Sequence, residues 1–250
     1  MKIEIALQTH NFNRRLCWML SSLLQQYNKE TLSDISVSIA YILNSGKPPV
    51  EEIVKEFSSK GLKINSLVYD NIEKLQYRGL VRNKQIQTTD ADWLLFADSD
   101  VVYPRNYFSK LKSILESSDY RNSSKCLHSA RKSTFLNETV NLVDKRINNG
   151  SCVIDDAYKQ ADRLEAVLKS NIGAGYCQIV NVDVLKLKYG GLYVDPKGCK
   201  DHSWITGIQK TKSDQQFRRQ HGRKPLDLPV QIHLQHLRDN EVGYHLEIQR

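Results

Sequence analysis

Apolar positions along the first half of the chain switch repeatedly between two spacings. Lys2–Gln8 is a short apolar-rich run that predicts a strand, and from about Asn13 the residues Leu16, Met19, Leu20, Leu23 and Leu24 recur at helical spacing. Ile35, Val37, Ile39, Tyr41 and Leu43 then alternate with polar positions, the pattern of a half-buried strand. Asn44-Ser45-Gly46-Lys47-Pro48-Pro49 interrupts them with turn chemistry. Val50–Lys60 reads as an amphipathic helix closed by Gly61, Leu62–Tyr69 as a strand and Lys74–Thr88 as a helix. Trp93-Leu94-Leu95-Phe96-Ala97 is apolar without interruption, which marks a strand covered on both faces.

Pro104 suits a first helical turn, and a helix is expected from there to about Ser118. Beyond it the pattern predicts strands at Lys125–Ala130 and Tyr176–Asn181 and a helix over Asp155–Lys169. Gly190-Gly191 opens a loop-rich stretch, followed by a helix at Ser213–His221 and an extended run at Leu228–His236. No repeat or linker divides the chain, so one domain over residues 1–250 is expected. Strand–helix units in this order predict an α/β fold: a mostly parallel, doubly wound sheet with flanking helices and a loop-rich C-terminal part. Such sheets bind ligands beyond the carboxyl ends of their strands. That rule directs attention to Thr9-His10-Asn11, Asn44-Ser45, Tyr69-Asp70 and Asp98-Ser99-Asp100.

Composition narrows the class. Of 250 residues, 40% are apolar and 26% charged, a balance that excludes disordered, collagenous and coiled-coil chains. No apolar stretch approaches the roughly 18 residues a membrane span needs. Glu4 interrupts the opening apolar run, so it reads as a strand rather than a signal peptide, and a cytoplasmic location is expected. The net charge of +8 favours anionic partners. Five cysteines, Cys17, Cys126, Cys152, Cys177 and Cys199, are scattered without a Cys-x-x-Cys pair, so neither a zinc ribbon nor a disulfide framework is indicated.

Asp98-Ser99-Asp100 follows the buried run directly. In extended chain, residues two apart point to the same side, which would let both carboxylates face one site. Two clustered anions repel unless a cation lies between them, and hard oxygen ligands suit Mg2+ or Mn2+. Upstream, Arg78-Gly79-Leu80-Val81-Arg82-Asn83 opens the helix leading into that strand.

The sequence Arg82-Asn83, a helix, an apolar strand and then Asp98-Ser99-Asp100, together with Thr9-His10-Asn11 behind strand one, resembles the nucleotide-sugar-dependent glycosyltransferases of the GT-A fold, particularly inverting family 2. The likeness is good over residues 3–110 and looser beyond. It implies a nucleotide-sugar-binding half over about 1–110 and an acceptor-binding half over about 111–250. Asp98 would lie near ribose or metal, and Asp100 would ligate the metal that holds the diphosphate. Thr9, His10 and Asn11 would line the nucleotide pocket, Asp70 would sit near the base, and Arg78, Arg82 and Asn83 would follow the nucleoside and phosphates. The family often carries an Asp soon after strand two, where this chain has Asn44-Ser45-Gly46. Against these roles, Arg78 and Arg82 also fit an ordinary solvated helix face.

The same resemblance implies an inverting transfer with a general base, and Asp214 in Ser213-Asp214-Gln215-Gln216-Phe217-Arg218-Arg219 matches the family's late acid at a helix start. A simple helix cap is the other reading of Asp214. Gly173-Ala174-Gly175 and Trp204 would shape the acceptor side. A late histidine often completes the metal shell in such enzymes. Of His233-Leu234-Gln235-His236 only one can face a given side, and His236, nearer the end of the run, is preferred as the metal ligand. The expected donor is a nucleotide-diphosphate sugar, with a UDP-sugar favoured, and the expected acceptor a saccharide or glycoconjugate. The basic cluster Arg218, Arg219, Arg223 and Lys224 also admits a nucleic acid acceptor such as modified DNA. A nucleotidyltransferase is the alternative enzyme class, although Thr9-His10-Asn11-Phe12-Asn13-Arg14 lacks the glycine-rich loop that class carries. A non-catalytic binding module would leave the paired aspartates without a task.

Overall fold

A computed structural model describes residues 1–26, 32–76, 78–120, 126–146, 151–164, 166–169, 177–189 and 223–234. The first half runs β1 (Ile3–Gln8), α1 (Asn13–Leu24), β2 (Ile35–Ile42), α2 (Val50–Ser59), β3 (Lys63–Tyr69), α3 (Ile72–Gln76), α4 (Arg78–Thr88) and β4 (Trp93–Ala97). There follow β5 (Val101–Val102), α5 (Tyr107–Glu116), β6 (Cys126–His128), β7 (Arg131–Thr134), α6 (Leu136–Arg146) and α7 (Ala157–Asp162). The last elements are β8 (Ala166–Lys169), β9 (Cys177–Asn181), α8 (Val182–Tyr189), β10 (Arg223–Pro225) and β11 (Gln231–His233).

Seven strands form the main sheet in the order β10-β6-β9-β4-β1-β2-β3. β1 pairs in parallel with both β2 and β4, and β2 with β3, while β9 runs antiparallel between β4 and β6. The side-chain alternation of each strand sorts the core into two layers. Ile3, Ile5 and Leu7 of β1, Val37 and Ile39 of β2, and Trp93 and Leu95 of β4 face the helices α1, α2 and α5. Ala6, Leu94, Phe96 and Val180 face the opposite way, onto Ile86 of α4 and Leu185 of α8, while Ala40 meets Leu75 of α3 and Val81 of α4. Both sheet faces are therefore covered, and β4 is apolar at every position because it has no solvent side. Each fully buried Leu or Phe contributes about 1.5–3 kcal/mol, so these layers supply the main driving force for the fold.

α2 shows how local chemistry sets an element's ends. Glu51 and Glu52 occupy its first turn, where the helix dipole favours anions. Gly61 stops it at a left-handed φ of +100°, its amide donating to the Ser58 carbonyl while the Leu62 amide reaches back to Phe57. This reciprocal pair is a Schellman closure, which glycine adopts without a Cβ penalty.

Two expectations change. The helix expected over Lys74–Thr88 starts earlier, at Ile72, and is described as α3 and α4 on either side of residue 77. The helix expected over Asp155–Lys169 is confined to α7, because Ala166–Lys169 pairs antiparallel with Thr134–Arg131 of β7. Strand pairing overrides the helical spacing there, as tertiary context commonly does. β8 and β7 belong to a second, four-stranded sheet in the order β5-β11-β7-β8. Residues 190–222, which include the expected helix at Ser213–His221, lie outside the described residues.

Candidate functional site

Helix placement locates the site. The connections β1-α1-β2 and β2-α2-β3 cross one face and move outward, whereas β3 returns through α3 and α4 on the other face to place β4 beside β1. The winding direction thus reverses between β1 and β4. Their carboxyl ends cannot be bridged by a short connection, which leaves a crevice for a ligand. Thr9-His10-Asn11 leaves β1 and Asp98-Ser99-Asp100 leaves β4 at this point.

β4 ends at Ala97, and Ser99 and Asp100 lie in a turn leading to β5, so the same-side geometry of extended chain does not govern the two aspartates. Asp98 is half-buried and Asp100 only 4% exposed. The second sheet explains what reaches Asp100. β11 pairs antiparallel with β5, setting His233 opposite Val101, and the Leu234 amide donates to the Asp100 carbonyl at 2.9 Å. His233 Nε2 consequently stands 3.2 Å from Asp100 Oδ2. Its Nδ1 faces the Ser133 hydroxyl at 3.5 Å, and its carbonyl accepts from Thr134 at 3.2 Å.

A buried carboxylate and an imidazole form a mixed oxygen and nitrogen donor pair that suits Mn2+ better than the harder Mg2+. Neighbouring ligands on one octahedral ion with bonds of about 2.1 Å stand about 3.0 Å apart, close to the observed separation. The residues present fit such an ion, and the same separation is also that of a direct hydrogen bond between the imidazole and the carboxylate. Among the described residues no three His, Cys, Asp or Glu side chains form a metal cluster, so Asp98 does not complete a protein-only cage with this pair. Mg2+-type sites commonly use one or two protein carboxylates and leave the remaining positions to substrate phosphates and water.

The β1 and β2 ends are stitched together. His10 Nδ1 lies 3.1 Å from the Ser45 hydroxyl, and Asn13 Nδ2 donates to the carbonyls of Ser45 at 2.6 Å and Pro48 at 2.7 Å. Asn11 and Asn44 both adopt left-handed backbone, with φ of +64° and +55°, a conformation that asparagine tolerates. Thr9 is buried with its amide on the Ala40 carbonyl, and its hydroxyl has no hydrogen-bond partner among the described residues. Buried hydroxyls are rarely left so, which marks this one as available to a bound polar group.

α4 carries the expected cations. Arg78 is half-buried at its start, as is Asn83 one turn on. Arg82 is 5% exposed, with its guanidinium 4.6 Å from the centre of the Phe96 ring, so a solvated helix face does not describe it. Asp70, by contrast, is exposed beyond β3, where the Lys74 ammonium bonded at 2.8 Å holds its carboxyl below the usual range. Asp214, His236, Trp204 and the Gly173-Ala174-Gly175 loop fall outside the described residues. The part played by Asn13 was not evident from sequence. Its only signal is an asparagine at the first turn of a helix that faces a Gly-Pro turn.

No helix among the described residues is long and apolar enough to cross a membrane. No protein-family model and no curated protein matches the chain. Solved structures do. S. aureus TarS 1-349 in complex with UDP-GlcNAc aligns with 96% of this chain at a TM-score of 0.59 and 16% identity. The same fragment in complex with UDP aligns with 93% of the chain, at a TM-score of 0.59 and 17% identity. The mannosyltransferase PcManGT from Pyrobaculum calidifontis, in complex with GDP-Man and Mn2+, aligns with 98% at a TM-score of 0.54 and 13% identity. The chain spans 60% of the TarS fragment and 59% of the mannosyltransferase. What these likenesses establish is the architecture: a mixed α/β fold, with a mostly parallel sheet flanked by helices, shared with solved glycosyltransferases.

Proposed function

We propose that this chain is a metal-dependent, GT-A-like inverting glycosyltransferase that moves a sugar from a nucleotide-diphosphate donor to a hydroxyl of a saccharide or glycoconjugate. The observation that carries the reading is the Asp100–His233 pair, buried at the β1/β4 switch point and 3.2 Å apart. The donors in the neighbouring structures, UDP-GlcNAc and GDP-Man, and the Mn2+ beside one of them, are consistent with it.

In this reading Asp100 and His233 hold Mn2+ or Mg2+, which when bound neutralises charge on the departing diphosphate. Ser133, at the far ring nitrogen of His233, orients the imidazole. Thr9, His10 and Asn11 line the nucleoside side of the crevice, and Arg78, Arg82 and Asn83 approach from α4. Asp98 stands at the ribose. Asp70, exposed and paired with Lys74, contributes at the outer rim near the base. Asp214 removes the proton from the acceptor hydroxyl as that oxygen attacks the anomeric carbon, and the nucleoside diphosphate leaves from the opposite face. The configuration at that carbon is thereby inverted.

Titration of the protein with UDP, with and without Mn2+, tests the assignment in wild type and in Asp100→Ala. Wild-type binding should tighten with the ion and the variant should lose that gain. Equal ion-stimulated binding by both proteins would overturn it. A panel of UDP-, GDP- and dTDP-sugars then identifies the donor. Asp214→Asn should keep donor binding and lose transfer by about a hundredfold or more, the scale of a missing general base.

A further inference from the structure

The turn after β2 carries no carboxylate in Asn44-Ser45-Gly46, yet three groups outside it hold it in place. Asn13, at the first helical position after the β1 loop and only 2% exposed, donates both amide hydrogens into it, to the carbonyls of Ser45 and Pro48. His10 meets the Ser45 hydroxyl, and Glu51 of α2 accepts from the Asn44 amide at 2.8 Å. Gly46 has a φ of +76°, and a Cβ there would lie 2.3 Å from Asn13 Nδ2. No side chain fits between the turn and Asn13, and only glycine adopts that backbone without strain.

Resting on the glycosyltransferase reading, we infer that Asn13 is a positioning residue for the donor: it fixes the β2 turn against the β1 loop so that the nucleoside meets a surface already in its bound shape. Asn13 itself, turned into two carbonyls and buried, does not touch the nucleoside. Its contribution is preorganisation, which raises affinity by removing the cost of ordering a loop on binding. Because Asn44, Ser45 and Gly46 offer only amide, hydroxyl and backbone groups, their grip on the nucleoside depends on shape rather than on a carboxylate. Rigid placement therefore matters more here than it would beside a fixed carboxylate.

The proposal separates donor from acceptor kinetics. Asn13→Ser removes both bonds, and Gly46→Ala attacks the same contact from the other side. Both should raise donor KM and the Kd for UDP by about tenfold, the consequence of losing bonds that each contribute modestly. Turnover at saturating donor and acceptor KM should stay within twofold. Amide hydrogen exchange across residues 44–47 should quicken in both variants while the β4 amides keep their protection. The double variant should cost little more than either single one, since both break one contact. Wild-type-like donor KM and exchange in Asn13→Ser would overturn the proposal, as would parallel loss of every kinetic constant. If Asn13→Ser does not fold, Gly46→Ala gives the same readouts, because its Cβ would displace the Asn13 amide. A wild-type protein that binds no nucleoside diphosphate would bring down the glycosyltransferase reading and this proposal together. Wild-type binding with unchanged variants would bring down this proposal alone.

Discussion

His233 Nε2 lies 3.2 Å from Asp100 Oδ2 because β11 sets His233 against Val101, one residue past the aspartate. Backbone pairing rather than side-chain reach creates this meeting, so it is built into the second sheet. If the pair holds the ion, His233→Ala should raise the Mn2+ concentration for half-maximal activity at least tenfold, the scale on which metal sites respond to altered ligation. His236→Ala, tested beside it, should leave that value within twofold. Metal titration of donor binding checks both. A large effect at position 236 with none at 233 would transfer the ligand role to the later histidine.

Arg82 is placed by two constraints. α4 turns it toward the sheet, and the Phe96 face receives its guanidinium at 4.6 Å. A planar, delocalised cation stacks on a ring as an ammonium cannot, so lysine is not a conservative replacement. Arg82→Lys should lower stability by about 0.5–1 kcal/mol, seen as a fall in urea midpoint. A cycle with Phe96→Leu should show coupling of similar size, because the two residues share one contact. Additive losses would show that the ring does not hold the arginine.

Gln85, also on α4, donates to the carbonyls of Leu7 and Ser38, both at 3.0 Å and both buried. One side chain thus ties the helix to β1 and β2 just below the site. Gln85→Leu fills nearly the same volume but removes both bonds, and each contributes about 0.5–1.5 kcal/mol. Chemical denaturation should report their combined loss. A change under 0.5 kcal/mol would mean that water or another donor replaces the amide.

The first half of the fold was legible because each element carries its own period. Ile35, Val37 and Ile39 alternate, Leu16, Met19 and Leu20 follow a helix, and Trp93–Ala97 is apolar throughout, so local pattern and tertiary role agree. The second sheet was hidden because its strands are short and their partners distant. Val101–Val102 is two residues long, and Ala166–Lys169 follows a helix whose period it continues. At the site, the sequence indicated which strand ends would meet but not which histidine faces Asp100. That depends on the β5–β11 register, a relation between distant segments that neither segment encodes alone. The turn at Ser99–Asp100 was likewise invisible to an argument that assumed extended chain.

Glu4 sits on β1 only 2% exposed, with Asn65 Nδ2 at 3.1 Å and the Ser36 hydroxyl at 3.4 Å. Burial pushes its carboxyl above the ordinary range, and the bonds from Asn65, Thr89 and Ser36 offset this only in part. The folded chain therefore holds that proton more tightly than the unfolded chain does. Stability from this group is fully present below the unfolded value of about 4.5 and is lost as pH rises through the folded value. Glu4→Gln keeps the shape and an oxygen for Asn65 while abolishing the charge. At pH 7 the variant should be more stable than wild type by about 1 kcal/mol, the lower end of the penalty for a poorly compensated buried polar group. The advantage should shrink as pH falls, vanishing near pH 4, where wild type is itself largely protonated. Urea midpoints between pH 4 and 8 measure both trends. A variant less stable than wild type at pH 7 would show instead that the ionised carboxylate is well satisfied by its neighbours and helps to hold β1, β2 and β3 together.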